Sequence, residues 1–161
     1  MGGGFSRAFP DKKIITLAFP GDHLKGIASR VSMMRHFKTR NVFLMGGING
    51  LNNVPLDSTK SMFYNTIDSI KKYAPEATIY VQSILPLNNK LKDDGLKVNP
   101  KIIVINDFLK KNESACGYVY IDLYSLYAVN GELPLNMTKD GIHLNSDAYK
   151  IWYNKITPYL K

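Results

Sequence analysis

The chain has 161 residues, of which 45% are hydrophobic and 21% are charged, with 21 basic against 13 acidic side chains and a formal net charge of +8. This length and composition fit one globular domain over residues 1–161 and exclude collagen-like and low-complexity chains. No stretch approaches the roughly 20 apolar residues that cross a bilayer, so we expect no membrane span. Cys116 is the single cysteine, which excludes an intrachain disulfide and a cysteine-rich secreted scaffold.

The polar residues indicate neither a metal site nor a nucleic-acid partner. His23, His36 and His143 lie far apart and lack the paired spacing of structural zinc sites, so we expect no metal and no cofactor. Apart from one basic cluster at residues 35–40, the lysines are scattered among acidic and polar residues, which favours solvated faces over nucleic-acid binding. The first residues lack a secretory pattern, which favours a cytoplasmic location unless a leader precedes Met1.

Four short apolar runs predict buried strands, because each is rich in β-branched and aromatic residues. They are KIITLAF, NVFLM, TIYVQSI and YVYIDLY, at residues 13–19, 41–45, 78–84 and 118–124.

Helical spacing of apolar residues predicts a helix between each pair of strands and another after the last strand. The first is expected over residues 23–38 with Asp22 as N-cap, and the second from Ser58 to about Pro75. A third is expected over 100–112 with Pro100 in its first turn, although KIIVI at 101–105 also fits a strand. The last begins near Ser146 and runs to the C terminus, and the polar residues 88–99 predict a mobile loop.

Strands that alternate with helices indicate parallel strands joined by right-handed crossovers, and therefore a three-layer α/β/α sandwich. Ligands bind such sheets at the carboxyl ends of the strands. We therefore expect the functional residues in the loops at 20–22, 46–53, 85–89 and 124–145.

The segment Asp140-Gly141-Ile142-His143 places a carboxylate and an imidazole on one short loop. The carboxylate can bind one ring nitrogen and leave the other free as a base, which is the orienting half of a hydrolytic triad. The alternative is an aspartate that caps a turn beside a surface histidine.

Two glycine-containing loops follow predicted strands. After residues 41–45 come Gly46, Gly47, Asn49 and Gly50, where the backbone can approach a ligand and the Asn49 amide can donate to a developing oxyanion. Gly21 lies at a predicted helix N terminus, which is suited to an anion. The alternatives are an ordinary strand-to-helix turn and a helix cap.

Together the three segments resemble, in order and spacing, the SGNH hydrolases, or GDSL-type esterase and lipase superfamily. Residues 19–22 with Arg30-Val31 are similar to the second block of that family, Gly47 to Gly50 to its Gly-x-Asn-Asp block, and Asp140 to His143 to its Asp-x-x-His block. Residues 82–86 (QSILP) resemble the end of its fourth strand. The resemblance implies a flavodoxin-like parallel sheet, Asp140 and His143 as catalytic residues, and Gly21 and Asn49 as oxyanion-hole donors.

The chain departs from the family pattern in two places. Gly50 stands where the family has aspartate, which we expect to loosen the Asn49 loop. The Gly-Asp-Ser block with the nucleophile is absent, and we expect the first strand, which lies mid-sheet in the family, to be missing through truncation or a misplaced start codon. Ser6 is disfavoured as a substitute because no apolar strand precedes it.

The resemblance implies an ester hydrolase that acts on a small acylated carbohydrate or lipid. Because the nucleophile is absent, we expect the chain as given to be inactive. The alternative is a non-catalytic module that binds an acylated sugar or lipid headgroup. Loss of a central strand also predicts marginal stability, and pairing with a second copy, hence a homo-oligomer, would compensate.

Overall fold

Three parallel strands form the sheet in a computed structural model that describes residues 7–160. They are β1 (Asn41–Leu44), β2 (Thr78–Gln82) and β3 (Val119–Ile121), in the order β1-β2-β3. Val42 is opposite Ile79, and Val81 is opposite Tyr120. The three later predicted strands are confirmed, although each is shorter than its apolar run.

α-Helices lie before, between and after the strands: α1 (Leu24–Arg30), α2 (Leu56–Tyr73), α3 (Gly95–Lys111), α4 (Tyr124–Tyr127) and α5 (Ser146–Ile156). Four 3₁₀ turns lie among them, at Val31–His36, Ile48–Gly50, Leu135–Met137 and Thr157–Tyr159. The predicted first helix is therefore an α-helix continued by a 3₁₀ turn. Residues 101–105 are helical, which settles the alternative of a strand there.

Two apolar clusters lie on opposite faces of the sheet. Ile79 and Val81 of β2 belong to one cluster, with buried side chains of α2 and α3, whereas Tyr80 between them packs on the other, with Trp152 of α5. Because successive strand residues point to opposite faces, helices cover both sides of the sheet. This confirms the α/β/α sandwich with a flavodoxin-like parallel sheet.

The strand predicted at residues 13–19 is wrong. This segment pairs with no strand among residues 7–160, and Ile15 and Phe19 are 44% and 61% exposed. Arg30 contacts this segment at two places. Its Nε donates to the Leu17 carbonyl at 3.1 Å, and its guanidinium lies 4.6 Å from the Phe19 ring centre. An apolar run becomes a strand only where a neighbouring strand accepts its hydrogen bonds.

The mobile loop predicted over residues 88–99 is also wrong. Asn88 and Asn99 are buried and hydrogen-bonded, and α3 begins at Gly95. Pro100 consequently lies inside the helix rather than in its first turn.

Over residues 7–160, none of the helices combines the length and the apolar composition needed to cross a membrane.

Candidate active site

The loop before α5 brings Asp140 and His143 into direct contact. Asp140 Oδ2 lies 2.5 Å from His143 Nδ1. Gly141 between them has φ of +83°, a left-handed conformation that glycine adopts without strain. This turn carries the chain back so that the two side chains meet.

The Asp140 carboxylate is oriented by the backbone of its own turn. Its Oδ1 accepts hydrogen bonds from the Ile142 and His143 N–H groups at 3.0 and 2.8 Å. Thr138 Oγ donates to the His143 carbonyl at 2.7 Å and accepts from the Gly141 N–H at 3.0 Å. The loop is therefore closed by hydrogen bonds on both sides of the pair.

The pKa of Asp140 lies well below its usual value. Desolvation acts against this shift, but the hydrogen bonds from the His143 ring and from the His143 and Ile142 backbone, with the charge attraction of His143, outweigh it. The carboxylate is therefore ionised at neutral pH and holds the imidazole proton on Nδ1. Nε2 makes no hydrogen bond to any described residue, so its lone pair is available as a base.

Gly21 lies in a tight turn rather than at the end of a strand. Asp22 N–H donates to the Phe19 carbonyl at 3.3 Å, and Gly21 has φ of +71°. Proline at the second position and glycine at the third fit a type II turn. Among the described residues, no group accepts a hydrogen bond from the Gly21 N–H, which leaves this donor available to a ligand.

Asn49 lies directly beside this turn. Its Nδ2 donates to the Asp22 carbonyl at 2.7 Å, which orients the amide and leaves its second N–H free. The residue is part of the 3₁₀ turn at Ile48–Gly50, which follows β1. Asn49 is thus held by the Asp22 carbonyl, although Gly50 replaces the aspartate of the family pattern.

Asp22 does not cap α1, contrary to our expectation. The N-cap is His23, without a side-chain cap hydrogen bond. The Asp22 carboxylate instead forms an ion pair with Arg30 at the other end of the helix. This pair fastens the Gly21 turn to α1.

Three asparagines that the sequence analysis did not single out position the loop after β2. Asn106 binds both backbone groups of Ile84, and Asn99 binds both backbone groups of Leu87, at distances of 2.8 to 3.0 Å. Asn88 then donates from its backbone to the Gly141 carbonyl at 2.9 Å and from its side chain to the Leu133 carbonyl at 2.7 Å. The sequence signal that could have identified Asn99 and Asn106 was their spacing of seven residues on an otherwise apolar helix face.

The structure thus forms two pairs: Asn49 is bonded to the Gly21 turn through the Asp22 carbonyl, and Asp140 is bonded to His143. No hydrogen bond joins one pair to the other among the described residues. Both pairs lie at the carboxyl edge of the sheet, since Asn49 follows β1 and the His143 loop is bonded to Asn88, which follows β2. Their neighbours Ile48 and Ile142 pack against the same apolar cluster.

A metal centre finds no support in the described part of the chain, where no three His, Cys, Asp or Glu side chains converge.

The sequence model of the GDSL-like lipase/acylhydrolase family matches residues 1–151. The chain belongs to this family. The family match confirms the resemblance stated in the sequence analysis.

Several solved structures share this GDSL-like fold, and two of them are compared with the chain. A Streptococcus pneumonia protein described as a platelet activating factor is 21% identical, with a TM-score of 0.86 over 98% of this chain and 78% of that chain. The Clostridium thermocellum family 3 carbohydrate esterase is 24% identical, with a TM-score of 0.61 over 87% of this chain and 67% of that chain. At these identities the likeness extends to the fold alone.

A curated relative also matches this GDSL-like chain. It is the N-acylneuraminate cytidylyltransferase of Escherichia coli O18:K1:H7 (strain RS218 / NMEC), 26% identical over 122 residues. The match includes 74% of this chain and 28% of that protein. The chain therefore spans little more than a quarter of the curated relative that it matches.

Gly141→Ala is expected to lower the free energy of unfolding by about 1 to 3 kcal/mol. A Cβ there would lie 2.8 Å from Leu91 Cβ and 2.9 Å from Lys92 Cγ, on a backbone with positive φ. Urea unfolding measures the change. Gly117→Ala is the matched control, because its φ of +59° imposes a similar backbone strain while its Cβ would meet just the flexible end of Lys71. Equal losses in the two variants would contradict the close packing of the His143 loop.

The stability contributed by Asp140 should depend on pH in one direction. A carboxyl group whose folded pKa is lowered stabilises fully above its unfolded pKa of about 3.9 and loses that effect as the pH falls through the folded value. The difference in unfolding free energy between the wild type and Asp140→Asn should be present above about pH 4 and shrink below it. Urea unfolding at a series of pH values tests this, and a difference that widens on acidification would refute it.

Proposed function

We propose that this chain carries the acid–base and oxyanion-binding groups of a serine-type ester hydrolase. The observation that carries the proposal is the 2.5 Å contact between Asp140 Oδ2 and His143 Nδ1, with Nε2 left free at the carboxyl edge of the sheet. Membership of the GDSL-like lipase/acylhydrolase family supports it. The substrate class is a small-molecule ester.

Each residue of the site has a role in acyl transfer. His143 Nε2 takes the proton of a serine hydroxyl as its oxygen attacks the ester carbonyl, and later returns it to the leaving alkoxide. Asp140 holds the imidazole tautomer and stabilises the imidazolium that forms. The Gly21 N–H and the second N–H of Asn49 donate to the oxyanion of the tetrahedral intermediate.

The nucleophile is not supplied by any recognisable motif of these 161 residues, since no Gly-Asp-Ser occurs in them. Ser6, considered above as a substitute, lies outside the described residues. We therefore propose that residues 1–161 alone hydrolyse esters negligibly, because acyl transfer by this route needs the serine.

The chain as given should not hydrolyse p-nitrophenyl acetate above the rate of its His143→Ala variant. Addition of an upstream strand that ends in Gly-Asp-Ser should restore hydrolysis, and His143→Ala should abolish it again. In that extended chain Asn49→Ala should lower kcat by about 10²- to 10³-fold through loss of one oxyanion donor. Asn53→Ala, an exposed asparagine near the same loop, is the matched control. Rapid hydrolysis by the given chain that survives Ser6→Ala but not His143→Ala would contradict the requirement for an added serine.

An acylated carbohydrate is the substrate class that we favour over a lipid. A cavity of about 470 Å³ lies beside the segment that directly follows His143 in the chain. It is lined by Lys139, Leu144, Asn145, Ser146, Asp147 and Tyr149. Its amide, hydroxyl and charged groups suit sugar hydroxyls better than an acyl chain, and an aromatic ring suits a sugar face. The curated relative, an N-acylneuraminate enzyme by name, points in the same direction.

The second candidate is a non-catalytic module that binds an acylated sugar or lipid headgroup through the same residues. The absence of a Gly-Asp-Ser motif favours it. The in-frame DNA upstream of Met1 discriminates between the two, because a hydrolase would encode an apolar strand followed by Gly-Asp-Ser there, and a binding module would not.

Self-association is a further part of the proposal. Among the described residues no strand pairs with the outer edge of β1, although Val42 and Leu44 are buried. A strand of a second copy can pair with that edge. Sedimentation equilibrium is expected to give a mass above the 18.1 kDa of one chain. A strictly monomeric species at high concentration with a sharp thermal transition would overturn this expectation.

A further inference from the structure

The two edges of the sheet differ in charge. The segments that precede the three strands, residues 35–40, 71–77 and 110–118, contain seven basic and two acidic residues. The segments that follow the strands, residues 45–55, 83–95 and 122–145, contain three basic and five acidic residues. We call the seven basic residues of the first set the basic edge: Arg35, Lys38, Arg40, Lys71, Lys72, Lys110 and Lys111.

Contacts between the three segments bring the basic edge together in space. The Thr78 N–H at the start of β2 donates to the Arg40 carbonyl at 2.8 Å. The Lys71 ammonium at the end of α2 lies 3.9 Å from the position of a Cβ on Gly117, two residues before β3. The last turns of α2 and α3 therefore lie beside the start of the sheet, as right-handed crossovers require.

Most of this charge is not neutralised within the described residues. Lys71 pairs with Asp68 at 3.8 Å, and no ion pair includes the other six members of the basic edge. Compensation of helix dipoles accounts for lysines in the last turns of α2 and α3. It does not account for Lys38 and Arg40, which lie beyond the end of any helix.

Apolar side chains are exposed within the same surface. Met33 and Phe37 are 46% and 38% exposed and lie in the same short stretch as Arg35 and Lys38. Exposed apolar groups flanked by basic ones suit the boundary between lipid headgroups and acyl chains, where the apolar groups insert and the cations meet anionic headgroups.

We propose that the basic edge, with Met33 and Phe37, docks on an anionic lipid surface. Nucleic acid offers the charge but no apolar layer for these two side chains, so the lipid surface is the better match. Docking by this edge leaves the opposite, carboxyl edge and its candidate site facing the water. The docked protein therefore presents the site to substrates in the aqueous phase.

Co-sedimentation of the full chain with vesicles tests the proposal. Binding is expected to vesicles of phosphatidylcholine mixed with phosphatidylserine, and to be absent with phosphatidylcholine alone. The triple variant Arg35→Glu, Lys38→Glu, Arg40→Glu should weaken the partition coefficient by about 100-fold, since three basic residues that contribute about fivefold each are removed.

The matched control reverses three exposed lysines near the other end of the molecule, Lys25→Glu, Lys90→Glu and Lys97→Glu, with the same change in net charge. It should bind far better than the first triple variant. Circular dichroism checks that both variants are folded. Equal losses in the two triple variants would show that net charge alone drives binding and would overturn a defined docking edge.

Phe37→Ser separates a lipid surface from a nucleic acid. This variant should weaken vesicle binding and leave any binding of duplex DNA unchanged. Failure to bind the anionic vesicles at low salt would overturn the proposal, and so would tight binding to DNA together with vesicle binding that Phe37→Ser does not change.

Discussion

The backbone after β2 is buried, and the hydrogen-bond partners of its peptide groups determine how the candidate site is built. Ser83 N–H still reaches the Ile121 carbonyl of β3, but β3 ends there. Beyond that point Ile84 and Leu87 obtain their hydrogen bonds from Asn106 and Asn99 of α3 instead of from a strand. A buried peptide group without a partner costs about 1 to 3 kcal/mol, so these two amides fix the path of the segment. That path ends at Asn88, whose backbone N–H donates to the Gly141 carbonyl in the loop that contains Asp140 and His143.

The Asp140–His143 pair is organised by local hydrogen bonds rather than by burial. Both side chains are about half exposed, at 47% and 55%. In such a position solvent competes for every polar contact, so the orientation of the carboxylate depends on the two backbone N–H groups that bind Oδ1. Asn49 is likewise oriented by a local contact, because its amide donates to one carbonyl of the Gly21 turn. The sequence can encode this geometry in very few residues because each contact lies within a short loop or between adjacent loops.

Local sequence signals predicted the parts of the structure that depend on local interactions. Strands form within the runs at residues 41–45, 78–84 and 118–124, where parallel neighbours accept their hydrogen bonds. The strand predicted from the same composition at residues 13–19 was wrong, since β propensity does not reveal whether a neighbouring strand exists. The polar residues at 88–99 suggested a segment exposed to solvent, whereas Asn88 and Asn99 are buried because distant carbonyls bind them. The Asn130-Gly131 hairpin turn, with both residues at positive φ, did have a local signal that our interpretation did not use.

The parallel topology also explains why the candidate site and the basic edge lie at opposite edges of the sheet. Every crossover ends its helix where the next strand begins, so residues suited to helix C termini gather at one edge and the loops that leave the strands gather at the other. Glycine and asparagine dominate the first of those exit loops because tight turns and oriented amides need them. Lysine in the last turns of α2 and α3 is favoured by the helix dipole. The additional arginines and lysine at residues 35–40 add charge that helix dipoles do not explain, and the proposed docking on an anionic lipid surface rests on this added charge.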